Sequence, residues 1–434
     1  MKKPQEMIIY NIFPTLAGRF AGWGEHFKRA SEMDFNWVFL NPIQKPGYSG
    51  SLYSISDYFS FNPLLTDGSS KESQADQVKD MIAEARKYGL SVMIDLVVNH
   101  CAFDSDIIKK HPEWFSWDNG EVVHPFCYGD DGKKVIWGDL AKYDYQGTRD
   151  PEGLYQFIKK IVDFLIALGV KGFRCDAAYQ LPGKFWKRLI RETKKANPGV
   201  LFFAETLGCT ADQTRTTARA GFDYVFNSSK WWDLKGHWLM AQYNLTRDVS
   251  DSISFPDSHD TTRLMEDLKG NISGVKQRYL LSALYSAGVM MLMGYEFGFR
   301  RSTHVVHSRP EDWEKTNVNL TGFIKSVNDI KKRYSVFQED APTDILQCGN
   351  PNVLVLWKAS SRTEDEALII INKDIYNKQH FHAESLYEFV LAGAPLLDVS
   401  PEYPLNFIPE PFHYDLNPGQ GLVYVTKRDG SRKT

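Results

Sequence analysis

The chain's 434 residues, 43% hydrophobic and 14% aromatic, suffice for one large core and a smaller second one. A balance of 51 basic against 54 acidic residues leaves a net charge of −3 with no long basic run, which excludes a nucleic-acid backbone as the expected partner. Five cysteines (Cys101, Cys127, Cys175, Cys209, Cys348), widely spaced and without a CxxC pair, suggest neither a disulfide framework nor a zinc knuckle and fit a reducing compartment.

The first residues, Met1 to Glu6, lack the apolar core of a secretory signal and pass into a strand-like run, Met7 to Phe13. No stretch approaches the roughly 18 apolar residues that a membrane helix needs. The expectation is a cytoplasmic chain with no membrane partner. Short apolar runs then predict strands at Ile8 to Phe13, Trp37 to Leu40, Val92 to Leu96, Val170 to Arg174, Leu201 to Ala204, Tyr224 to Phe226, Ser252 to Phe255 and Val289 to Met293. Helical periodicity lies between them at Ser73 to Tyr88, Leu154 to Leu168, Lys184 to Lys195 and Val275 to Ala287. Strands alternating with helices predict an α/β fold with a parallel sheet, and eight units over about 300 residues favour a closed (β/α)8 TIM barrel over an open doubly wound sheet.

The connection from His100 to Tyr145, with Trp114, Trp117 and Trp137, is too long for a barrel turn, and loops of that length are usually functional. These three tryptophans either pack the excursion or form a sugar platform, whereas Trp231 and Trp232 are expected in the core. Beyond Pro342 short strand patterns follow without helices (Val353 to Lys358, Ala367 to Asn372, Tyr387 to Val390, Gly421 to Lys427), reading as an antiparallel β-sandwich. The expected organisation is a barrel over 1–341 containing an inserted subdomain at 101–145, a C-terminal β domain over 342–427 and a frayed tail over 428–434.

Four segments place acidic residues at or near strand C-terminal ends: Asp95-Leu96-Val97-Val98-Asn99-His100, Gly172-Phe173-Arg174-Cys175-Asp176, Ala204-Glu205-Thr206 and Ser258-His259-Asp260. Barrel enzymes keep their chemistry at that face. An isolated acid at a strand end is more often a cap or an ion-pair partner. Two at the ends of consecutive strands, Asp176 and Glu205, can instead flank a glycosidic bond at the roughly 5–5.5 Å separation of a retaining mechanism. Arg174, two residues before Asp176 and on the same face of the strand, supplies a cation for an ionised nucleophile. Glu205 follows Phe202, Phe203 and Ala204, a drier wall suited to a proton donor.

The four segments, in this order, resemble the motif regions of the α-amylase family of retaining glycoside hydrolases and transglycosylases. The resemblance spans nearly the whole chain. It implies Asp176 as nucleophile, Glu205 as general acid/base and Asp260 as the third carboxylate, which stabilises the transition state. It further implies His100 and His259 as sugar-contacting histidines, Arg174 as the residue orienting the nucleophile, Asp95 and Asn99 as structural residues, Tyr53 as a ring stacking on the reacting sugar, and Arg263 as a further substrate-site arginine.

Where starch-cleaving members often carry Lys-His, this chain has Tyr179 and Gln180. Tyr179 is therefore a candidate sugar contact on the leaving-group side. Ser258 stands where an Asn is usual, His111-Pro112-Glu113-Trp114-Phe115 resembles a segment of the maltosyltransferase branch, and Gly294-Tyr295-Glu296-Phe297-Gly298 resembles the end of the eighth strand in several relatives. No phosphate-binding Gly loop or nicotinamide fingerprint occurs, so no organic cofactor and no catalytic metal are expected. A structural calcium would draw on Asn99, with Asp130, Asp131 and Asp139 as further oxygen donors, although Gln180 replaces its usual histidine. The expected activity is retaining hydrolysis of α-1,4-linked gluco-oligosaccharides or α-glucans through a covalent glycosyl-enzyme. The alternatives are a glucan transferase, maltosyltransferase-like or phosphate-using, and a non-catalytic amylase-like binding protein, against which the intact acidic trio argues.

Overall fold

The computed structural model describes residues 6–128, 133–231, 234, 238–391 and 395–426. Eight parallel strands close into a barrel: β1 (Met7–Ile12), β2 (Trp37–Leu40), β3 (Ser91–Leu96), β4 (Gly172–Cys175), β5 (Leu201–Glu205), β6 (Tyr224–Phe226), β7 (Asp251–Ser254) and β8 (Gly288–Leu292). Each strand pairs with the next in sequence, and β8 returns to β1. All eight coincide with the apolar runs of the sequence to within two residues at each end.

Strand side chains alternate between the two faces, and that period of two sets the function. One set faces the helices: Ile8, Tyr10 and Ile12 on β1, Phe173 and Cys175 on β4, Phe202 and Ala204 on β5. The other fills the barrel: Met7 and Ile9, Trp37 and Phe39, Met93, Leu201 and Phe203, Phe226, and Ile253. Continued one step toward the C-terminal end, the inward rows become polar, with Asn11, Asn41, Asp95, Arg174 and Glu205. The apolar layers below act as a floor for this polar layer. Gly172 sits beneath Arg174, where a Cβ would approach the Trp37 ring to 3.1 Å and the Phe203 ring to 3.3 Å.

The helices form because caps and apolar spacing agree. In helix Pro151–Leu168 the Asp150 side chain accepts from Gly153 N, Pro151 occupies the first turn, and Gly169 closes the end at φ 110°. Its buried stripe runs through Leu154, Ile158, Ile161, Val162 and Leu165. The excursion after β3 is built from short two-stranded ladders, of which His100–Ala102 with Leu140–Lys142 springs directly from β3. Trp114 is buried there against His111, with ring centroids 3.7 Å apart, and its Nε1 donates to Asp150 at 3.0 Å. It packs the excursion. Trp117 and Trp137 are exposed.

The C-terminal part holds a five-stranded antiparallel sheet in the order β9 (Thr343–Leu346), β10 (Val353–Ala359), β11 (Glu366–Asn372), β15 (Gly421–Thr426), β13 (Leu396–Asp398), and a two-stranded ladder of β12 (Gln379–Ala383) with β14 (Phe412–Leu416). Val355, Leu368, Ile370, Phe381, Phe412, Leu422 and Tyr424 form one core between them. The predicted strand at Tyr387 to Val390 is corrected: Leu386–Phe389 is a 3-10 turn, capped by the Ser385 hydroxyl, which accepts from Tyr387 N. The Lys358 ammonium on β10 donates to Tyr285 O at 2.6 Å, and the Gln277 amide to Asn372 O at 2.6 Å, fastening this sheet to the barrel. Trp231, expected in the core, is half exposed. Trp232, Asp130, Asp131 and the tail 428–434 lie outside the described residues. Among the described residues no helix is long and apolar enough to cross a membrane.

Candidate active site at the C-terminal face of the barrel

Arg174 organises the site. Its Nη1 donates to Asp95 Oδ1 and Oδ2 at 2.8 and 3.1 Å, and to Asp176 Oδ1 at 2.8 Å. Its Nη2 lies 3.9 Å from Asp260 Oδ2. The register explains the grouping, since Arg174 pairs with Asp95 across the β3–β4 ladder and with Phe203 across β4–β5. The guanidinium is 6% exposed and Asp176 15%, so these charged hydrogen bonds work in a medium far less screening than water.

Glu205 is held from β5 against the peptide that follows Asp176. Its Oε2 accepts from Ala177 N at 2.8 Å and its Oε1 from Leu207 N at 2.6 Å. Ala177 adopts a left-handed conformation, φ 42°, which is unfavourable for a residue with a Cβ and turns its N–H toward the carboxylate. Burial raises the Glu205 pKa to about 7; the negative charges of Asp176 and Asp260 push the same way, while Arg174 and the Leu207 N–H pull down. A carboxyl protonated near neutrality is the state a proton donor would need.

Asp260, at the mouth, is 44% exposed and lies 3.1 Å from His259 Nε2. Ser258, which replaces an amide, accepts from Asp260 N at 3.3 Å through its hydroxyl and so shapes the turn. His259 stacks on Tyr53, centroids 5.7 Å apart and planes within 4°. The Tyr53 hydroxyl donates to Asp95 Oδ2 at 2.6 Å and lies 2.6 Å from His259 Nε2. The His100 Nε2 bonds the Tyr53 backbone carbonyl at 3.0 Å. Burial pushes the pKa of both histidines down, which favours neutral rings. Tyr179 stands half-buried, its phenol pushed up to about 12 by burial and then by the charges of Glu205, Cys209 and Asp176.

Asp95, Arg174, Asp176, Glu205, His259, Asp260 and Tyr53 thus come together as a linked cluster, with His100 and Tyr179 at its edge. Arg263 does not reach its surface. It is 1% exposed, its Nε lies 3.2 Å from Asp257 Oδ2 and its Nη1 donates to Met293 O at 3.2 Å. The expected substrate contact is corrected: the side chain is buried, held by the Asp257 carboxylate and the Met293 carbonyl. Asn11 and Asn41, absent from the sequence reading, also belong here. The missed signal was a polar residue on an inward-facing position at the top of a strand.

Around Asn99 the described residues offer a structural calcium few donors. The Asn99 Nδ2 donates to Gln180 Oε1 at 3.4 Å, leaving its Oδ1 as a single buried oxygen without a hydrogen-bond partner. Calcium takes six to eight oxygens, carboxylates among them. Among the described residues no three His, Cys, Asp or Glu side chains gather into a metal-holding group. The residues at Asn99 and Gln180 do not fit the ion.

Residues 3–120 match the family model described as the glucanotransferase domain of glycogen debranching enzyme. Similar proteins include the α-1,4-glucan:maltose-1-phosphate maltosyltransferase of Burkholderia pseudomallei, 22% identical over 85% of this chain and 33% of that protein, and that of Mycolicibacterium smegmatis, 25% identical over 83% and 56%. The chain spans from a third to somewhat over half of the length of these relatives. Among solved structures, an α-amylase from Lactobacillus plantarum aligns at TM-score 0.78 with 18% identity over 97% of this chain and 99% of that one. One from Geobacillus thermoleovorans, complexed with acarbose, aligns at 0.80 with 16% identity over 99% and 100%. At such identities the structures speak for the fold. The chain thus has the fold of the α-amylases and is similar along most of its length to α-1,4-glucan:maltose-1-phosphate maltosyltransferases.

Proposed function

We propose that the chain is a retaining enzyme acting on α-1,4-linked gluco-oligosaccharides or α-glucans. The observation that carries this reading is the pairing of an Arg174-bound Asp176 with a buried Glu205, on adjacent strands and joined through the Ala177 N–H. Asp176 attacks the anomeric carbon as Glu205 gives its proton to the departing glycosidic oxygen, and a glycosyl ester forms on Asp176. Glu205, now ionised, takes a proton from the incoming acceptor, whose oxygen attacks the same carbon and releases Asp176. Asp260 accepts hydrogen bonds from the sugar hydroxyls, and the neutral His259 ring lines the same side of the sugar.

A second reading, transfer of the glycosyl group to another sugar or to phosphate, is favoured by the maltosyltransferase names of the similar proteins. The two readings differ only in what occupies the acceptor side. Maltoheptaose incubated with and without inorganic phosphate separates them: glucose and maltose alone mean hydrolysis, products longer than the substrate mean transfer, and a phosphorylated sugar means phosphate use. No turnover of any α-1,4-glucan would sink the reading.

The leaving-group side bears on chain length. Tyr179 and Gln180 offer a phenol and an amide where a cation and an imidazole would give charged hydrogen bonds, so short oligosaccharides should be preferred to starch. Installing Tyr179→Lys with Gln180→His should shift kcat/KM toward soluble starch over maltotriose by no more than about 1–3 kcal/mol, the range for a few polar contacts. A parent that already prefers starch strongly overturns this specificity argument.

A further inference from the structure

The sugar-facing ring of Tyr53 is tied to the barrel by a chain of hydrogen bonds that starts deep in its wall. Asn11, the inward residue near the end of β1, donates through Nδ2 to Phe39 O at 3.0 Å and to Asn41 Oδ1 at 3.0 Å. Asn41, just past β2, donates through its own Nδ2 to the Tyr53 hydroxyl at 3.0 Å. Tyr53 donates to Asp95, which is held by Arg174, which holds Asp176. Both asparagines are fully buried.

The direction of this chain follows from its ends. Phe39 offers a backbone carbonyl, which only accepts, so the Asn11 nitrogen must face it and Asn41 in turn must present its oxygen to Asn11. At the far end, His259 Nε2 lies 3.1 Å from the Asp260 carboxylate, which also only accepts, so Nε2 carries the ring's hydrogen. The phenol oxygen therefore accepts from Asn41 and shares the one Nε2 hydrogen of His259 with Asp260, and its single proton goes to Asp95. Every bonding position of that oxygen is used.

We propose that Asn41 is a positioning residue of the sugar site: its amide, oriented by Asn11, commits the Tyr53 hydroxyl to Asp95 and thereby fixes the plane in which Tyr53 and His259 meet the reacting sugar. The role rests on the glucan-active reading above. It acts through Tyr53 alone, and that gives it a signature. Asn41→Leu keeps the volume and removes the donor; Asn41→Asp keeps the shape and reverses the bond, so that the Tyr53 proton is drawn away from Asp95.

The experiment is a double-mutant cycle on the full chain, with kcat and KM on maltoheptaose and thermal unfolding measured for the parent, Asn41→Leu, Tyr53→Phe and the double variant. Asn41→Leu should lower kcat/KM by on the order of 10²-fold, the scale of a misplaced reacting group, mostly through kcat. In the Tyr53→Phe background the same change should matter by less than about threefold, because the hydroxyl it orients is gone. Asn41→Asp should lose at least as much as Asn41→Leu, and Asn41→Ser, a smaller change, carries the cycle if Leu does not fold. Equal fold-losses in both backgrounds, or an Asp variant close to the parent, overturn the proposal. Coupling seen in Tm but not in kcat/KM also overturns it, reducing Asn41 to a structural residue. A parent inactive on every α-glucan fails separately, at the level of the glucan-active reading, and takes the positioning role down with it.

Discussion

Asp176→Asn should abolish turnover of maltoheptaose, lowering kcat roughly 10⁴-fold or more while leaving a folded protein. Such a loss corresponds to about 5 kcal/mol of transition-state stabilisation, the scale of removing the group that forms the covalent bond. The fold survives because the amide matches the carboxylate in shape, and Arg174 keeps its two contacts with Asp95 at 2.8 and 3.1 Å. The chemistry does not survive, because an amide oxygen bears no charge with which to displace a glycosidic oxygen. A 2-fluoro glycosyl fluoride should also label the parent with one added glycosyl unit on the peptide bearing Asp176, and should leave the variant unlabelled. Activity within tenfold of the parent, or a label on another carboxylate, would remove Asp176 from the nucleophile's place.

The barrel was legible because its strands are buried on both faces and most read as largely apolar runs, whatever the helices between them do. The C-terminal strands were harder. β12 (His380-Phe381-His382) and β14 (Phe412-His413-Tyr414-Asp415) bury only one face, so half their residues are polar and no apolar run marks them. Tyr387 to Val390 misled in the opposite way, with apolar residues adjacent in sequence but wound into a short turn by the Ser385 cap.

In the site, the acidic residues were legible from their strand ends, whereas what lies between strands was not. That Arg263 is buried and does not reach the site's surface depends on the path of the chain after β7, and that Asn41 touches Tyr53 depends on the fold of residues 42–52. Neither is encoded in any local period. Asn11 and Asn41 share the inward phase of Ile9 and Phe39 all the same, and the same period of two that carries Asp95 and Arg174 to the top of the barrel carries them there as well.

The raised pKa of Glu205 makes the acid/base assignment testable by pH. With its pKa near 7, Glu205 is protonated below neutrality and can serve as general acid there. For maltooligosaccharides kcat/KM should therefore fall about tenfold per unit as pH rises beyond 7. Glu205→Gln should cost about 10²–10⁴-fold on these substrates, yet retain much of the first step on an α-glucosyl fluoride, whose leaving group departs unprotonated, and the alkaline limb near 7 should vanish. Equal losses on both substrates would argue for a different role. The causes of the shift add a second arm. Part of it comes from the negative charge of Asp176, which the glycosyl ester neutralises, so formation of the intermediate itself should lower the Glu205 pKa and ready it to act as base in the next step. Asp176→Asn mimics that neutralisation without chemistry. By carboxyl NMR the Glu205 titration in this variant should move below that of the parent; an unchanged or higher value would mean that the Asp176 charge does not set it, and that the switch from acid to base needs another source.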